Sequence, residues 1–230
     1  VLFADGGALL TDENVLVVAD LHLGCEAALE SQGVSIPRVQ TRKIELAIGR
    51  LLEDAAPSRV IVAGDLKHNF SRNLTQEWQD VTAFVRRLSG LATLEVVKGN
   101  HDNFLGSILR EHGIPLVREA HASGARIVHG HAGRLSGEFT VMGHIHPSVR
   151  LQDGIGGSVK DRCFLYSEAL DVLVLPALSI VSPGTDVVAG MCSDTMSPLL
   201  SGHGLEDFVP IAFSDGKPLR FPKVGDLRRS

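Results

Sequence analysis

Three short apolar runs constrain this chain more than any other feature. Val15–Ala19, Val60–Ala63 and Leu94–Val97 each have the composition of a strand buried on both faces. Helical patterns separate them. After Pro37, suited to a first helical turn, Ile44, Ala47, Ile48, Leu51 and Leu52 share one face. After the second run, Leu74, Trp78, Val81, Phe84, Val85 and Leu88 recur at helical spacing, with Gly90 as the stop and Trp78 as a core anchor. A short helix with Phe104, Leu105, Ile108 and Leu109 follows the third run and ends at Gly113. Strand–helix repeated in this way predicts a parallel sheet with right-handed crossovers, whose ligands bind off the carboxyl ends of the strands.

Those ends carry the polar chemistry of the chain. The first run closes in Asp20-Leu21-His22, the second in Gly64-Asp65, and the third in Gly99-Asn100-His101-Asp102. Past Gly113 the texture changes to short strands, at Pro115–Val117, Arg126–Val128, Phe139–Met142, Arg162–Tyr166 and Val172–Leu175, which read as an antiparallel or mixed sheet. Two histidine clusters punctuate it, His129-Gly130-His131 and Gly143-His144-Ile145-His146. The tail from Ser182 is rich in Gly, Pro and Ser, with one more strand expected at Val209–Phe213. Segments 150–161 and 184–207 read as surface excursions, and no linker divides the 230 residues, so a single domain is expected.

Composition excludes several classes. At 44% hydrophobic residues the chain is not disordered, and no apolar run approaches the ~18 residues of a membrane span. Val1–Asp5 has no basic stretch and is not expected to be a signal peptide. Cys25, Cys163 and Cys192 form neither a CxxC pair nor a disulfide framework, which fits a reducing, cytoplasmic setting. The net charge of −5 gives no global basic footprint for nucleic acid, though it leaves room for a local one.

The strand-end clusters together hold several carboxylates, several imidazoles and one amide. Such mixed oxygen and nitrogen ligands suit Mn, Fe, Zn or Ni and disfavour thiolate-selected metals. Seven candidate ligands exceed what one tetrahedral zinc takes, and suit two ions sharing a bridging carboxylate. The ordered set from Val15 to Pro147 resembles the calcineurin-like metallophosphoesterase superfamily. Within it, the stretches ADLHLG, Pro37–Lys43, GDLKH and MGHIHP resemble a small archaeal and bacterial branch. That branch is related to the nuclease subunit of double-strand-break repair and is associated in some bacteria with DNA ligase.

The resemblance implies a four-layer α-β-β-α sandwich, an α/β fold of two mixed sheets with flanking helices and a dinuclear site at the strand ends. It assigns Asp20, His22 and His146 to one ion, Asn100, His129 and His144 to the other, and Asp65 to both. His101 is then the acid or electrophile beside the phosphate, with Asp102 orienting its ring. His68 and His131 are substrate-side candidates, with Lys67 and Arg72 as further cations; His112, His121 and His203 read as structural or surface residues. Two divalent ions, Mn first and Fe, Zn, Ni or Co as alternatives, would clamp a phosphoryl oxygen and generate hydroxide for in-line attack. The function implied is hydrolysis of a phosphodiester, nuclease-like or of a nucleotide or cyclic nucleotide. The competing readings are a phosphomonoesterase or protein phosphatase, and a metal-bound, non-catalytic subunit of a DNA-repair assembly.

Overall fold

A computed structural model describes residues 1–4, 6–34, 36–70, 75–152, 157–182, 184–189, 197–214 and 216–229. The first half builds one sheet from β1 (Leu2–Ala4), β2 (Gly7–Leu10), β3 (Val15–Val18), β4 (Arg59–Ala63), β5 (Thr93–Val97) and β6 (Leu116–Val117), in that spatial order. The strands β3 to β6 run parallel, while β1 and β2 form an antiparallel hairpin that closes the edge. The intervening helices are α1 (Cys25–Ser31), α2 (Gln40–Ala55), α3 (Thr75–Ser89) and α4 (Leu105–Glu111).

Alternation along the strands explains why the runs are apolar on both faces, except at Glu95, whose carboxylate pairs with Arg59. Leu16, Val18, Val60, Val62, Leu94 and Val96 face the helices and pack on Ile44, Ile48, Val81, Phe84, Val85 and Leu105. The residues between them, Val15, Val17, Ile61, Ala63 and Val97, face the second sheet and pack on Ile127, Val141, Phe164 and Leu173. Trp78 is half-buried against the helix-side core, in keeping with its expected place.

The second sheet contains β7 (Ala120–Ala122), β8 (Ala125–Val128), β9 (Thr140–Met142), β10 (Pro147–Gln152), β11 (Ser158–Ser167), β12 (Val172–Val174) and β13 (Thr185–Asp186). Their order is β13-β10-β11-β12-β9-β8-β7, and β14 (Val209–Ser214) with β15 (Lys217–Arg220) extends from β11. The sheet is mixed, because β9 lies parallel to both β8 and β12. Its outer face, with Met142, Val172, Val174 and Leu165, is covered by Leu199 and Leu200 of a short 3-10 turn, by Phe208, and by Val224 of α5 (Val224–Leu227). The molecule is therefore an α/β fold of two mixed sheets with flanking helices.

Two expectations change. Leu116–Val117 pairs with β5 and belongs to the first sheet, because α4 supplies one more right-handed crossover before the chain changes layer. Residues 150–152 and 158–161 are not an excursion: Ser148 to Gln152 pairs antiparallel with Ser158 to Arg162, and 153–156 lie outside the described residues. The β1–β2 hairpin and α1 were not legible, being only a few residues long. Arg72, Leu74 and Cys192 also lie outside the described residues, whereas Cys25 and Cys163 are buried free thiols. Among the described residues, no helix is long and apolar enough to cross a membrane.

Candidate metal centre

Five strand ends meet at one rim. From the first sheet, β3 delivers Asp20 and His22, β4 delivers Asp65, and β5 delivers Asn100 and His101; from the second, β8 delivers His129 and β9 delivers His144 and His146. The loops continue the strand pairing for one more step, Asp20 N–H donating to Gly64 C=O (3.1 Å) and His22 N–H to Asp65 C=O (2.9 Å). The sheets are tied where His144 N–H donates to Asp20 Oδ2 (2.9 Å). Asp20, His22, Asp65, His144 and His146 all have positive φ, between 48° and 72°. For residues other than glycine this left-handed backbone costs roughly 1–3 kcal/mol each and persists only where the surroundings enforce it. Its concentration on five ligand candidates marks the rim as a functional site.

Two glycines make the approach possible. A Cβ on Gly99 would lie 2.1 Å from Asp65 Oδ1, and one on Gly64 would lie 2.3 Å from His129 Nδ1. Each glycine thus makes room for a polar side chain arriving from another strand.

The ligand atoms fall into two overlapping groups, each with all its atoms within 4.8 Å: Asp20, His22 and His146, and Asp20, Asp65 and His129. In the first, His22 Nε2 is 3.3 Å from His146 Nε2, which is 3.2 Å from Asp20 Oδ1. In the second, His129 Nε2 is 3.4 Å from Asp65 Oδ2 and 3.0 Å from Asn100 Oδ1. The His144 ring lies against His129, centroid to centroid 4.9 Å. Asp65 Oδ2 stands between the groups, since it is also 3.9 Å from His22 Nε2. His68 belongs to a further cluster of imidazoles with His22 and His101. His131 is half-buried, 5.1 Å from the His129 ring.

Hydrogen bonding corrects the expected part of Asp102. Its carboxylate accepts backbone N–H groups from Asp65 (2.9 Å), Lys67 (3.2 Å) and Gly99 (2.8 Å), so it joins two loops and does not hold the His101 ring. That ring is held from the other side, its Nδ1 facing the His68 carbonyl at 2.5 Å. His101 N–H in turn donates to Asp65 Oδ1 (2.8 Å). Lys67 is also corrected: its side chain is buried and its ammonium meets Glu77 (3.7 Å) and the Asn69 carbonyl, so it faces inward and not toward a substrate.

Charge in the cluster is finely divided. Burial opposes the protonated form of His129, but the Asp65 and Asp20 carboxylates beside it prevail and raise its pKa to about 9. Burial drives His22 down to about 3 and His144 down to about 4, the latter aided by the His129 charge. Burial would also raise Asp20 and Asp65, yet the surrounding imidazoles hold both below the usual carboxylate range. Asp102 goes the other way, to about 6, through burial and the nearby Asp65 charge. In the metal-free site two buried carboxylates thus stay ionised against the charge of His129.

Other residues that shape the site carried no motif. Gln40 is fully buried, and its Nε2 donates to the carbonyls of Leu21 (2.9 Å) and His22 (2.8 Å). Buried Glu26 accepts the Gln40 N–H (2.6 Å) and so caps α2 from outside the helix. Glu77 accepts the N–H groups of His68 and Asn69. Ser182 Oγ lies 2.8 Å from His146 Nδ1 and fixes that ring from 36 residues away. Gln40 falls within the stretch Pro37–Lys43 that drew attention as a resemblance; Ser182 had no sequence signal at all.

The residues fit a divalent metal. Asp20 Oδ1 is buried with no hydrogen-bond partner among the described residues, beside His146 Nε2 and 3.7 Å from His129 Nδ1, as an oxygen ligand would be. The donors are oxygen and imidazole nitrogen throughout. Two mixed sheets meeting at a rim of carboxylates, imidazoles and one carboxamide define an α/β sandwich with a metal-binding rim. The model of the calcineurin-like phosphoesterases matches residues 13–155, and the chain belongs to that family.

Among solved structures, the nuclease MPE of Pseudomonas putida has a similar fold, with a TM-score of 0.68 at 20% identity over 94% of this chain and 92% of that one. YfcE, a phosphoesterase from E. coli, aligns over 90% of this chain and 97% of its own, at 16% identity with a TM-score of 0.42. No curated protein matches the chain by sequence.

Proposed function

We propose that this protein is a metal-dependent phosphoesterase that cleaves phosphodiesters in preference to monoesters. The observation that carries the reading is Asp65 Oδ2, placed 3.9 Å from His22 Nε2 and 3.4 Å from His129 Nε2, between two groups of ligands. Asp20, His22 and His146 would hold one divalent ion, with Mn as the first choice, and Asn100, His129 and His144 a second, with Asp65 shared. Bound there, two such ions would offset the charge of a phosphoryl group and would make water acidic enough to act as a nucleophile.

The chain's own residues do the rest. With Nδ1–H donating to the His68 carbonyl, His101 presents Nε2 to the site, 3.9 Å from Asp65 Oδ2. From that position a protonated His101 donates to the phosphate or to the departing oxygen, a contribution of about 10²–10⁴-fold in rate. Asp102 keeps the loops bearing Asp65 and His101 together. Ser182 and Gln40 hold His146 and the His22 turn from behind. The preference for a diester follows the Pseudomonas putida protein of the same fold, a nuclease by its description, since nucleases cut phosphodiesters.

The test compares Mn-loaded protein on bis(p-nitrophenyl) phosphate and p-nitrophenyl phosphate. Faster turnover of the diester supports the reading; faster turnover of the monoester makes it a phosphomonoesterase, and inertness on both leaves a metal-binding subunit. His101→Asn should slow the diester reaction by about 10²-fold or more with metal content unchanged. Loss of metal in that variant would make His101 a ligand.

A further inference from the structure

Beside the second group of candidate ligands lies a groove of about 460 Å³ whose lining includes His129 and His131. Its size lies within the ~300–1,000 Å³ usual for small-molecule sites. Lys98, Arg118 and Arg126 line it, with Glu119 as its carboxylate. That carboxylate is already engaged, by Arg126 Nε at 2.9 Å and His121 Nε2 at 3.6 Å, and Arg126 is held again by the Arg134 carbonyl at 3.1 Å. Lys98 and Arg118 are different. Both are exposed, and among the described residues no carboxylate pairs with either.

The fold places these two cations side by side. Lys98 follows β5 directly and precedes Gly99-Asn100; Arg118 follows β6, the next parallel strand, and Lys98 N–H donates to Val117 C=O (2.8 Å). Lys98 stands at the strand end that carries Asn100 and His101, and Arg118 at the end of the next strand, on the edge of the sheet. On a chain of net charge −5, an unpaired pair of cations opening onto a phosphoester site calls for an anionic ligand.

Resting on the phosphoesterase reading, we infer that Lys98 and Arg118 form a subsite for a second phosphate of the substrate, adjacent to the phosphate that is hydrolysed. The substrate is then a polyanionic ester, either a short nucleotide with an extra phosphate or a nucleic-acid strand. Arg118 offers a planar fork for two phosphate oxygens and Lys98 a compact charge.

The experiment uses the Mn-loaded full chain, wild type and K98Q/R118Q, on three substrates. These are bis(p-nitrophenyl) phosphate, with one phosphate; 5′-phosphorylated dithymidine dinucleotide, with two; and single-stranded decathymidylate. A control variant, R86Q/R110Q, removes equal charge from exposed positions of α3 and α4. The wild type's preference for the substrates with several phosphates, as a ratio of kcat/KM to the single-phosphate ester, should fall about tenfold through KM in K98Q/R118Q, the size of a charge-assisted contact. The control should keep the wild-type ratio. A loss on both the dinucleotide and the decamer identifies a short nucleotide as sufficient; a loss on the decamer alone identifies a strand. An unchanged ratio, or an equal loss on all three substrates, overturns the subsite.

Binding of labelled decathymidylate, followed by anisotropy, needs no turnover. The slope of log Kd against log salt should flatten by about 1.4 in K98Q/R118Q, two single-strand phosphate contacts at ~0.7 each. If the wild type hydrolyses none of the three, the phosphoesterase reading fails, and this slope alone decides for or against the subsite.

Discussion

On the proposed two-ion reading, Asp65 is the residue that both ions would share. One of its oxygens lies near both His22 and His129, while the other accepts the His101 N–H. Asp65→Asn keeps the size and removes the charge, so it should lower the occupancy of both ions at once. Metal content measured after dialysis should fall from two equivalents toward zero; a variant that retains one full equivalent would make Asp65 a ligand to a single ion. The backbone around it was partly legible. The dipeptide Gly64-Asp65 reads as an ordinary turn, and nothing in it signals that the glycine makes room for a histidine 65 residues further on. Lys67 was misread for a related reason: a lysine in a polar loop reads as solvent-facing, and only the fold places Glu77 beneath it. Asp102 departs from the part the resemblance implies, because its partners in space are the amides of Asp65, Lys67 and Gly99 and not the His101 ring.

At the scale of elements, the buried three-strand pattern was legible because each run needs apolar residues on both faces. The ligand candidates were legible because each ends such a run. Supports from other elements were not, since a hydrogen bond between α2 and the β3 loop leaves no periodic trace. Gln40 is the clearest case. It clamps two carbonyls of the turn whose Asp20 and His22 have positive φ. Gln40→Leu leaves those buried carbonyls without that donor, at a cost of roughly 1–3 kcal/mol for each group left unsatisfied. The variant should melt several degrees below wild type and bind Mn more weakly, with calorimetric titration as the check. Wild-type Mn affinity in a destabilised variant would reduce Gln40 to a packing residue.

For the whole molecule, ligand candidates come from both sheets, so metal binding and folding stability are coupled. Metal present at about 100 times its Kd stabilises by about 2.7 kcal/mol per site. In the metal-free protein the raised pKa of His129, about 9 against 6.5, means the folded state binds a proton that the unfolded chain has released. Its contribution is complete below pH 6.5 and disappears as pH rises through about 9. Melting temperature of the metal-free protein should therefore decline across that window, and saturating Mn should abolish the decline because a ligating His129 carries no such proton. Parallel declines with and without metal would place the titration elsewhere.

The carboxylate of Asp102 joins amides on either side of a strand boundary, those of Asp65 and Lys67 after β4 and that of Gly99 after β5. Mechanically it is a rivet, and two riveted loops have one stiffness between them. The three amides should then exchange with deuterium as a single unit at a common rate, slower than the amides of the exposed loops nearby. In Asp102→Ala they should be released together, and separate rates in the wild type would mean that the loops move independently.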